Sequence, residues 1–242
     1  MPQHVVQCYQ SDEFLLGAAA RFLLGRDAGT SFIVIIATPA HRLALVKRLK
    51  PNSDQMPWVG GLRLMDADET LAQIMPRDTP DRARFDQVVG SLVRQFATRG
   101  SVRIYGDMAG ELYRAGKRRA SAALEDLWNE LARSVDFDLF CAYPIDVFDP
   151  AFEERSSDSF LHNHRRLLPS SPAGSLEAAL RLALEKAGLT PPERMRVPGI
   201  HDRARMPAAE AMILWLRAAY PRQAPAVLAQ AERYYRNAAR AE

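Results

Sequence analysis

The chain has 242 residues, of which 48% are hydrophobic and 25% charged, and its formal net charge is +3. This composition is typical of a folded globular protein, and the length suffices for one α/β domain of about 150 residues with an appendage. Two widely separated cysteines exclude a secreted disulfide framework. No signal peptide is visible, and the longest apolar run, from Phe32 to Ala37, is too short to span a bilayer. We therefore expect a cytoplasmic protein without a membrane segment.

The surplus of basic residues lies after residue 150, mainly on segments with a helical pattern. It is mild, whereas nucleic-acid-binding domains usually carry a dense basic stripe. We interpret it as a solvated arginine-rich surface and expect no direct contact with nucleic acid.

Five apolar segments predict β-strands that alternate with helical patterns. The predicted strands are residues 4–9, 31–37, 62–67, 102–107 and 138–143. The predicted helices are residues 12–24, 40–49, 68–75, 81–99, 108–115 and 118–133. This alternation indicates right-handed crossovers and a mainly parallel sheet with helices on both faces. The predicted fold class is therefore α/β, a three-layer domain over residues 1–150.

The composition changes after that domain. Residues 151–174 have the Ser/Pro-rich character of a linker, and residues 175–242 predict a helical extension. The extension carries an apolar stripe of Met212, Leu214, Trp215 and Leu216. The stripe either packs on the protein itself or on a dimer partner, or it binds a signalling protein.

Polar residues stand at the carboxyl ends of all five predicted strands. They are Tyr9, Thr38, Asp66, Asp107 and Tyr143, with Cys141 one step inside the last strand. Open parallel sheets bind their ligands outside the carboxyl ends of the strands. This edge of the sheet is therefore the candidate ligand site.

Nucleotide hydrolysis of the phosphate-loop type is excluded by the residues after the strand that ends at Ala37. A phosphate-binding loop needs GxxxxGK[ST], in which glycine amides and a lysine cradle the phosphates. The chain has TPAHRLALV there, without glycine or lysine, and Pro39 removes one amide donor. No GxGxxG stretch is present either.

Metal-binding and nucleophilic patterns are weak. The close pair His162 and His164 lies in the predicted linker without a nearby cysteine, and His4 has no visible companion ligand. Cys141 lies in an apolar strand, where burial raises a thiol pKa and makes the group inert. We therefore expect Cys141 to pack in the core or line a pocket, and we expect no metal or cofactor.

Arg103 lies inside an apolar strand, between Val102 and Ile104. A buried guanidinium needs carboxylate or carbonyl partners. The candidate partners are Asp66, Asp107, Glu111 and Glu125. Arg103 is either a structural salt-bridge residue or the anchor of a ligand.

Four stretches together resemble the MEDS domain, a sensory domain of methanogen and methylotroph regulators. They are HVVQCYQSDEFLLGAAARFL, LRLMDADET, VRIYGDMAGELYRAGKRRASAALEDLWNEL and FDLFCAYP. The resemblance covers residues 3–150 and rests on an ordered set of short signatures, among them the opening histidine and tyrosine and the Cys-x-Tyr stretch.

The resemblance implies a RecA/KaiC-like fold that has lost its phosphate loop, and a protein that senses small molecules such as hydrocarbon derivatives. It also implies that the signature or pocket positions are His4, Asp66, Arg103, Glu125, Cys141 and Tyr143. The chain departs from the family at Asp107, where glutamate is more usual, and the shorter side chain reaches less far towards Arg103. No kinase or helix-turn-helix module is recognisable in the extension.

These observations lead to the hypothesis of a non-enzymatic sensory or regulatory protein. A small ligand would lie at the carboxyl edge of the sheet, anchored by Arg103 and oriented by Asp66 and Glu125, with Cys141 and Tyr143 as the wall. A histidine kinase, a transcription regulator or a second copy of the chain would receive the signal. The alternatives are an interaction module with a vestigial pocket and a residual nucleotide binder without hydrolysis.

Overall fold

The structure is a computed structural model. It describes residues 3–25, 31–49, 61–152, 164, 166–172, 174–192 and 206–238. The chain divides into two compact units. The first consists of Met1–Val6 and Ser11–Pro144, and the second of Gln7–Gln10 and Ile145–Glu242.

The fold is built on a parallel sheet of six strands. They are β1 (His4–Cys8), β2 (Ser31–Ala37), β3 (Gly61–Asp66), β4 (Ser101–Gly106), β5 (Asp138–Tyr143) and β6 (Arg166–Leu168). In the first unit the strand order is β3-β2-β4-β5-β1. The last residues of β1 belong to the second unit, where β1 neighbours β6.

The helices of the first unit connect these strands. They are α1 (Asp12–Leu24), α2 (Pro39–Leu49), α3 (Ala67–Ile74), α4 (Arg82–Phe85), α5 (Ser91–Ala97), α6 (Met108–Arg114) and α7 (Arg118–Leu131). α1 begins where the Ser11 hydroxyl accepts a hydrogen bond from the Phe14 amide, as a helix N-cap does. α1 packs with α2, whereas α6 packs with α7 and α3. Because crossovers are right-handed, the two sets cover opposite faces of the sheet.

The core of the first unit lies around β2, whose seven residues are all buried. Such continuous burial is typical of a central strand covered on both faces. Between α4 and α5 the chain makes a π-helical turn, Asp86–Gly90, that keeps Phe85 and Val89 buried. The Phe85 ring packs edge-on against Trp128 of α7, with 5.1 Å between the ring centroids.

The second unit contains three long helices, α8 (Ser175–Lys186), α9 (Ala208–Ala219) and α10 (Ala224–Ala238). Polar side chains join them to the segment that follows β5. Arg217 of α9 donates hydrogen bonds to the carbonyls of Phe148 and Asp149, at 2.7 and 3.0 Å. Glu210 of α9 accepts from the Ser170 amide and hydroxyl, both at 2.7 Å.

The predicted α/β fold class is confirmed, and the five predicted strands are present to within one residue at either end. The single helix predicted over residues 81–99 is interrupted by the π-helical turn. β6, in the segment interpreted as a linker, was missed because three residues carry no periodicity. Among the described residues, no helix is long and apolar enough to cross a membrane.

Candidate functional site

The chain leaves β2 and β4 in opposite directions across the sheet. β2 leads outwards to β3, whereas β4 leads the other way to β5. Where helices such as α2 and α6 diverge to opposite faces, open α/β sheets usually have a crevice between the carboxyl ends of the two strands. Thr38 directly follows β2, and Asp107 directly follows β4. This is the place at which open α/β sheets bind ligands.

Asp107 is the centre of a polar cluster in this crevice, which we call the Asp107 cluster. Its Oδ2 atom accepts hydrogen bonds from the Thr38 amide at 3.3 Å and the Thr38 hydroxyl at 3.5 Å. The His41 Nδ1 atom lies 2.9 Å from the same oxygen and 3.2 Å from the Tyr105 hydroxyl. The His41 Nε2 atom lies 3.4 Å from the Asp12 carboxylate, a side chain that is 67% exposed. The cluster therefore runs from the core to the surface.

The pKa of His41 is raised above its ordinary value of 6.5. Burial alone would lower the pKa, but the hydrogen bond and the charge of Asp107, helped by Asp12, outweigh it. His41 is thus held towards its protonated form beside a carboxylate that is 1% exposed.

The second carboxylate oxygen of Asp107, Oδ1, is buried and has no hydrogen-bond partner among the described residues. Buried acceptors in folded proteins are nearly always satisfied, so such an atom calls for an explanation. An oxygen of this kind can accept a hydrogen bond from a bound molecule.

A second buried cluster lies between β5 and α7, and we call it the Glu125 cluster. It consists of His4, Ser121, Glu125, Asn129, Cys141 and Tyr143. Ser121, Glu125 and Asn129 recur every four residues, which places them on one face of α7. Cys141 and Tyr143 are two residues apart in β5 and share one face of the sheet.

Glu125 accepts hydrogen bonds from two other members of this cluster although it is only 2% exposed. The Tyr143 hydroxyl donates to its Oε1 atom at 2.7 Å, and the Cys141 thiol donates to Oε2 at 3.6 Å. Ser121 donates to the Ala109 carbonyl at 2.8 Å and lies 3.4 Å from the Tyr143 hydroxyl. A buried carboxylate is tolerated because such donors satisfy it.

His4 closes the Glu125 cluster from the start of β1. Its Nε2 atom lies 3.3 Å from Glu125 Oε2 and 3.4 Å from Cys141 Sγ. Its Nδ1 atom lies 3.0 Å from the Asn129 Oδ1 atom. An amide oxygen only accepts hydrogen bonds, so Nδ1 carries the proton towards Asn129.

The thiol and the phenol of this cluster both hold their protons. Burial raises the pKa of Cys141 well above its ordinary value, and the neighbouring charge and hydrogen bond of Glu125 raise it further. Burial and then the charge of Glu125 also raise the pKa of Tyr143. The structure thus places Cys141 as a hydrogen-bond donor rather than as a thiolate nucleophile.

Arg103 does not join either cluster. It is the third residue of β4 and pairs in register with Asp138, the first residue of β5. Its Nε atom lies 3.9 Å from the Asp138 carboxylate, and its Nη1 atom donates to the Ser31 hydroxyl at 3.4 Å. Arg103 precedes Asp107 by four residues. At about 3.3 Å per residue, this places it roughly 13 Å from Asp107 along the strand.

This placement favours the alternative in which Arg103 is a structural salt-bridge residue over the one in which it anchors a ligand between Asp66 and Glu125. It also corrects the proposed partners of the guanidinium, because Asp138 and Ser31 lie at the amino end of the sheet. A Cβ atom added to Gly25 would lie 2.2 Å from the Arg103 Cζ atom. The arginine is therefore packed beneath the end of α1, as in a structural salt bridge.

Asp66 also has a structural function in the fold. Its side chain accepts hydrogen bonds from the amides of Asp68 and Glu69 and so caps α3. It also pairs with Arg42 at 3.1 Å. Tyr9 is buried, and it belongs to the chain segment assigned to the second unit.

The apolar stripe of α9 is not a free surface. Met212, Leu214 and Leu216 are 1%, 3% and 0% exposed, and Trp215 is partly exposed. The burial of these three side chains favours the alternative in which the stripe packs on the protein itself. α9 is apolar on nearly every side, and such a helix is a core helix.

Sequence reasoning missed several members of the two clusters. His41 stands in the stretch that replaces a phosphate loop, and its helical position three residues after Thr38 is the available signal. Ser121 and Tyr105 look like ordinary helix and strand residues. The sequence shows no companions for His4, because its neighbours Glu125 and Cys141 are more than 120 residues away. His162 lies outside the described residues, and His164 is buried.

A cavity of about 840 Å³ lies at the opposite, amino-terminal edge of the sheet. It is lined by Gln3, by the end of α5 and the start of β4 (Arg94, Ala97, Thr98, Gly100, Ser101, Val102) and by residues 134–138. Its size is suitable for a small molecule. No residue of the Asp107 cluster or the Glu125 cluster lines this cavity. The cavity is therefore a second candidate site for a small ligand.

Comparison with known proteins identifies one family. Residues 3–159 match the family described as MEDS, the methanogen/methylotroph, DcmR sensory domain. Searches of curated proteins and of solved structures found no significant match. The matched range includes both polar clusters and covers well over half of the chain. The chain therefore belongs to the MEDS family of sensory domains.

Proposed function

We propose that the chain is a non-enzymatic sensory protein that binds a small molecule in the crevice between β2 and β4. The observation that carries this proposal is the buried Asp107 Oδ1 atom, which has no hydrogen-bond partner among the described residues. It lies where parallel α/β sheets bind their ligands. Membership of a sensory family supports the same function.

The chemistry of the Asp107 cluster defines the ligand class. Asp107 offers its Oδ1 atom as an acceptor, whereas His41 and Thr38 already satisfy the other oxygen. A ligand with one hydroxyl or amine donor on a small apolar body would complete the set. Simple hydrocarbon derivatives with such a group belong to this class.

Ligand binding could be transmitted through His41 and Asp12. The carboxylate of Asp12 stands at the start of α1, and His41 stands in α2. A ligand that binds to Asp107 changes the hydrogen bond between Asp107 and His41. It thereby changes the contact between His41 of α2 and Asp12 of α1. A partner such as a histidine kinase or a transcription regulator would detect that change.

The test is native mass spectrometry of the protein freshly purified from its own host, followed by denaturation and small-molecule analysis. We expect a co-purifying compound that is lost in Asp107→Asn, which keeps the size of the side chain but removes its charge. Thr98→Trp, which fills the cavity at the amino edge, is the matched control and should retain the compound.

Two outcomes would contradict the proposal. Loss of the compound in Thr98→Trp alone would move the ligand to the amino edge of the sheet. A wild-type protein without any compound, which also gives no heat with candidate alcohols and amines in calorimetry, would indicate a vestigial site. Adding ATP or ADP in the same calorimetric series tests the residual nucleotide binder.

A further inference from the structure

Three side chains of the Glu125 cluster carry the donor atoms that transition metals prefer. They are an imidazole nitrogen of His4, a carboxylate oxygen of Glu125 and the thiol sulfur of Cys141. Imidazole, thiolate and carboxylate are the usual protein ligands of Zn²⁺. All three groups are buried, where a polar cluster of this kind needs a structural or functional reason.

The three donor atoms already have the spacing of a coordination sphere. The separations are 3.3 Å between His4 Nε2 and Glu125 Oε2, 3.4 Å between His4 Nε2 and Cys141 Sγ, and 3.6 Å between Cys141 Sγ and Glu125 Oε2. The point equidistant from three atoms with these separations lies roughly 2 Å from each of them, close to the Zn–N and Zn–O bond lengths. An ion displaced slightly from that point, away from the sulfur, would also reach the longer Zn–S distance. No side chain has to move far for an ion to enter.

We propose that His4, Glu125 and Cys141 bind one divalent transition-metal ion, with Zn²⁺ as the preferred occupant. The inference goes beyond the proposed ligand site, since it concerns a different cluster and a different class of ligand. It assigns these three protein ligands and leaves the fourth position of a tetrahedral ion unassigned.

Neighbouring residues hold each ligand in the required orientation. The Asn129 Oδ1 atom, 3.0 Å from His4 Nδ1, fixes the tautomer that turns the Nε2 lone pair towards Cys141 and Glu125. The Tyr143 hydroxyl donates to Glu125 Oε1 at 2.7 Å and leaves Oε2 to face the other two donors. Metal-ligating histidines and carboxylates usually have such outer partners, whose loss costs about 10- to 100-fold in metal affinity.

The competing explanation is a hydrogen-bond network without metal, in which the Cys141 thiol donates to Glu125. The two explanations differ in one proton. When the ion binds, the sulfur–proton bond breaks, the proton goes to solvent and a sulfur–metal bond forms, without any change in oxidation state. Metal content and the spectrum of the sulfur–metal bond therefore distinguish them.

The first experiment uses the full chain without an affinity tag, since a histidine tag would bind metal itself. Elemental analysis after purification, and again after incubation with Zn²⁺ and desalting, should give about one equivalent per chain. The protein stripped with chelator and reloaded with Co²⁺ should show the intense visible bands of tetrahedral cobalt and a thiolate-to-cobalt charge-transfer band.

Variants then assign the ligands. Cys141→Ser should abolish the charge-transfer band, whereas Cys8→Ser, which changes the other buried cysteine, should leave it intact. Asn129→Ala should keep the band but weaken cobalt binding by about 10- to 100-fold. Circular dichroism of each variant establishes that it is folded.

The wild-type protein alone can overturn the inference, so it does not depend on the stability of the variants. A folded chain that retains no Zn²⁺ after incubation, and shows no charge-transfer band with Co²⁺, contains only a hydrogen-bond network. A band that persists in Cys141→Ser but disappears in Cys8→Ser would place the metal elsewhere. Neither result affects the ligand test on Asp107, because that test measures an organic compound rather than a metal.

Discussion

The two buried histidines of the first unit stand in similar surroundings but differ in access to solvent. Each contacts a buried carboxylate that is held at the start or on the inner face of a helix. The Glu125 cluster around His4 is enclosed by α7 and β5, whereas His41 reaches Asp12, whose side chain is 67% exposed. Each cluster contains a phenol, Tyr143 in one and Tyr105 in the other, but the first also contains a thiol and the second a threonine.

This difference separates two kinds of polar site. In the enclosed cluster every polar hydrogen needs a fixed hydrogen-bond partner, because water is excluded. An unpaired polar group costs more free energy there than at the surface. In the open cluster solvent can exchange protons with His41 through the Asp12 side. We therefore expect the Glu125 cluster to determine stability and metal content, and the Asp107 cluster to respond to pH and small molecules.

The strongest test of the enclosed cluster is Glu125→Leu, measured in chelator by urea unfolding. It leaves the Tyr143 hydroxyl and the Cys141 thiol without their buried acceptor. We expect a loss of about 3–5 kcal/mol in the free energy of unfolding. Glu125→Gln, which keeps an acceptor oxygen, should lose less.

The control for that change is Arg119→Gln, an exposed side chain on the same helix, which should stay within about 0.5 kcal/mol of the wild type. If Glu125→Leu were as stable as the wild type, the cluster would not be an obligatory acceptor network.

A smaller effect is expected at the helix that joins the two clusters. α6 begins after Asp107 and lies so close to β5 that a Cβ atom at Gly110 would be 2.2 Å from the Ala142 carbonyl oxygen. Gly110→Ala must therefore push helix and strand apart, at about 1–3 kcal/mol. Both clusters should be disturbed, because Ala142 stands between Cys141 and Tyr143.

Gly17→Ala in α1 is the matched control, since its added Cβ atom meets only the flexible Arg21 side chain at 3.6 Å. There we expect a gain of about 0.5–1 kcal/mol from the better helix former. A Gly110→Ala protein that gained stability as well would show that α6 can move away from β5 at no cost.

The smallest effect is expected for His41→Gln and depends on pH. The folded-state pKa of His41 is raised above 6.5, so its protonated form is favoured by folding. The stability it contributes is fully present below pH 6.5 and is lost as the pH rises through the folded-state pKa. Below pH 6.5, the free energy of unfolding of the wild type should therefore exceed that of His41→Gln by about 1–2 kcal/mol. This difference should shrink as the pH rises through the folded-state pKa.

Urea unfolding of both proteins, from about pH 5 to the alkaline side of that pKa, measures this difference. The groups that face His41 include Asp107, Asp12 and Tyr105. A difference that grows with pH would mean that His41 is buried as the neutral imidazole.

The fold could be predicted from the sequence because its signals are local. Continuous apolar runs such as Ser31–Ala37 and the helical spacing around them indicated the strands, their succession along the chain and a parallel sheet, but not the order of the strands within the sheet. The edge that Thr38 and Asp107 share follows from the same reasoning, because parallel strands end together. The sequence could not give the position of Arg103 along its strand relative to Asp138, since that depends on the register between β4 and β5.

The Glu125 cluster could not be derived from the residues either. His4, Glu125 and Cys141 come from three segments, and only packing of α7 on β5 brings them together. The resemblance to the MEDS family named these residues as signatures, and the structure supplied their distances. The buried stripe of α9 shows another limit of the sequence. An apolar pattern predicts that a helix is buried, but it does not identify the surface that covers it.

The π-helical turn at Asp86–Gly90 has a consequence for comparing chains of different length. Phe85, Val89 and Val93 are all buried at intervals of four residues, more than the 3.6 residues of an α-helical turn. The wider turn takes up this excess, so Phe85 meets Trp128 while Val93 still faces the core. Removing one residue there would restore a regular helix and rotate Phe85 by about 100°. In an alignment of this family, a one-residue gap inside this helix is therefore physically reasonable, although gaps normally belong in loops.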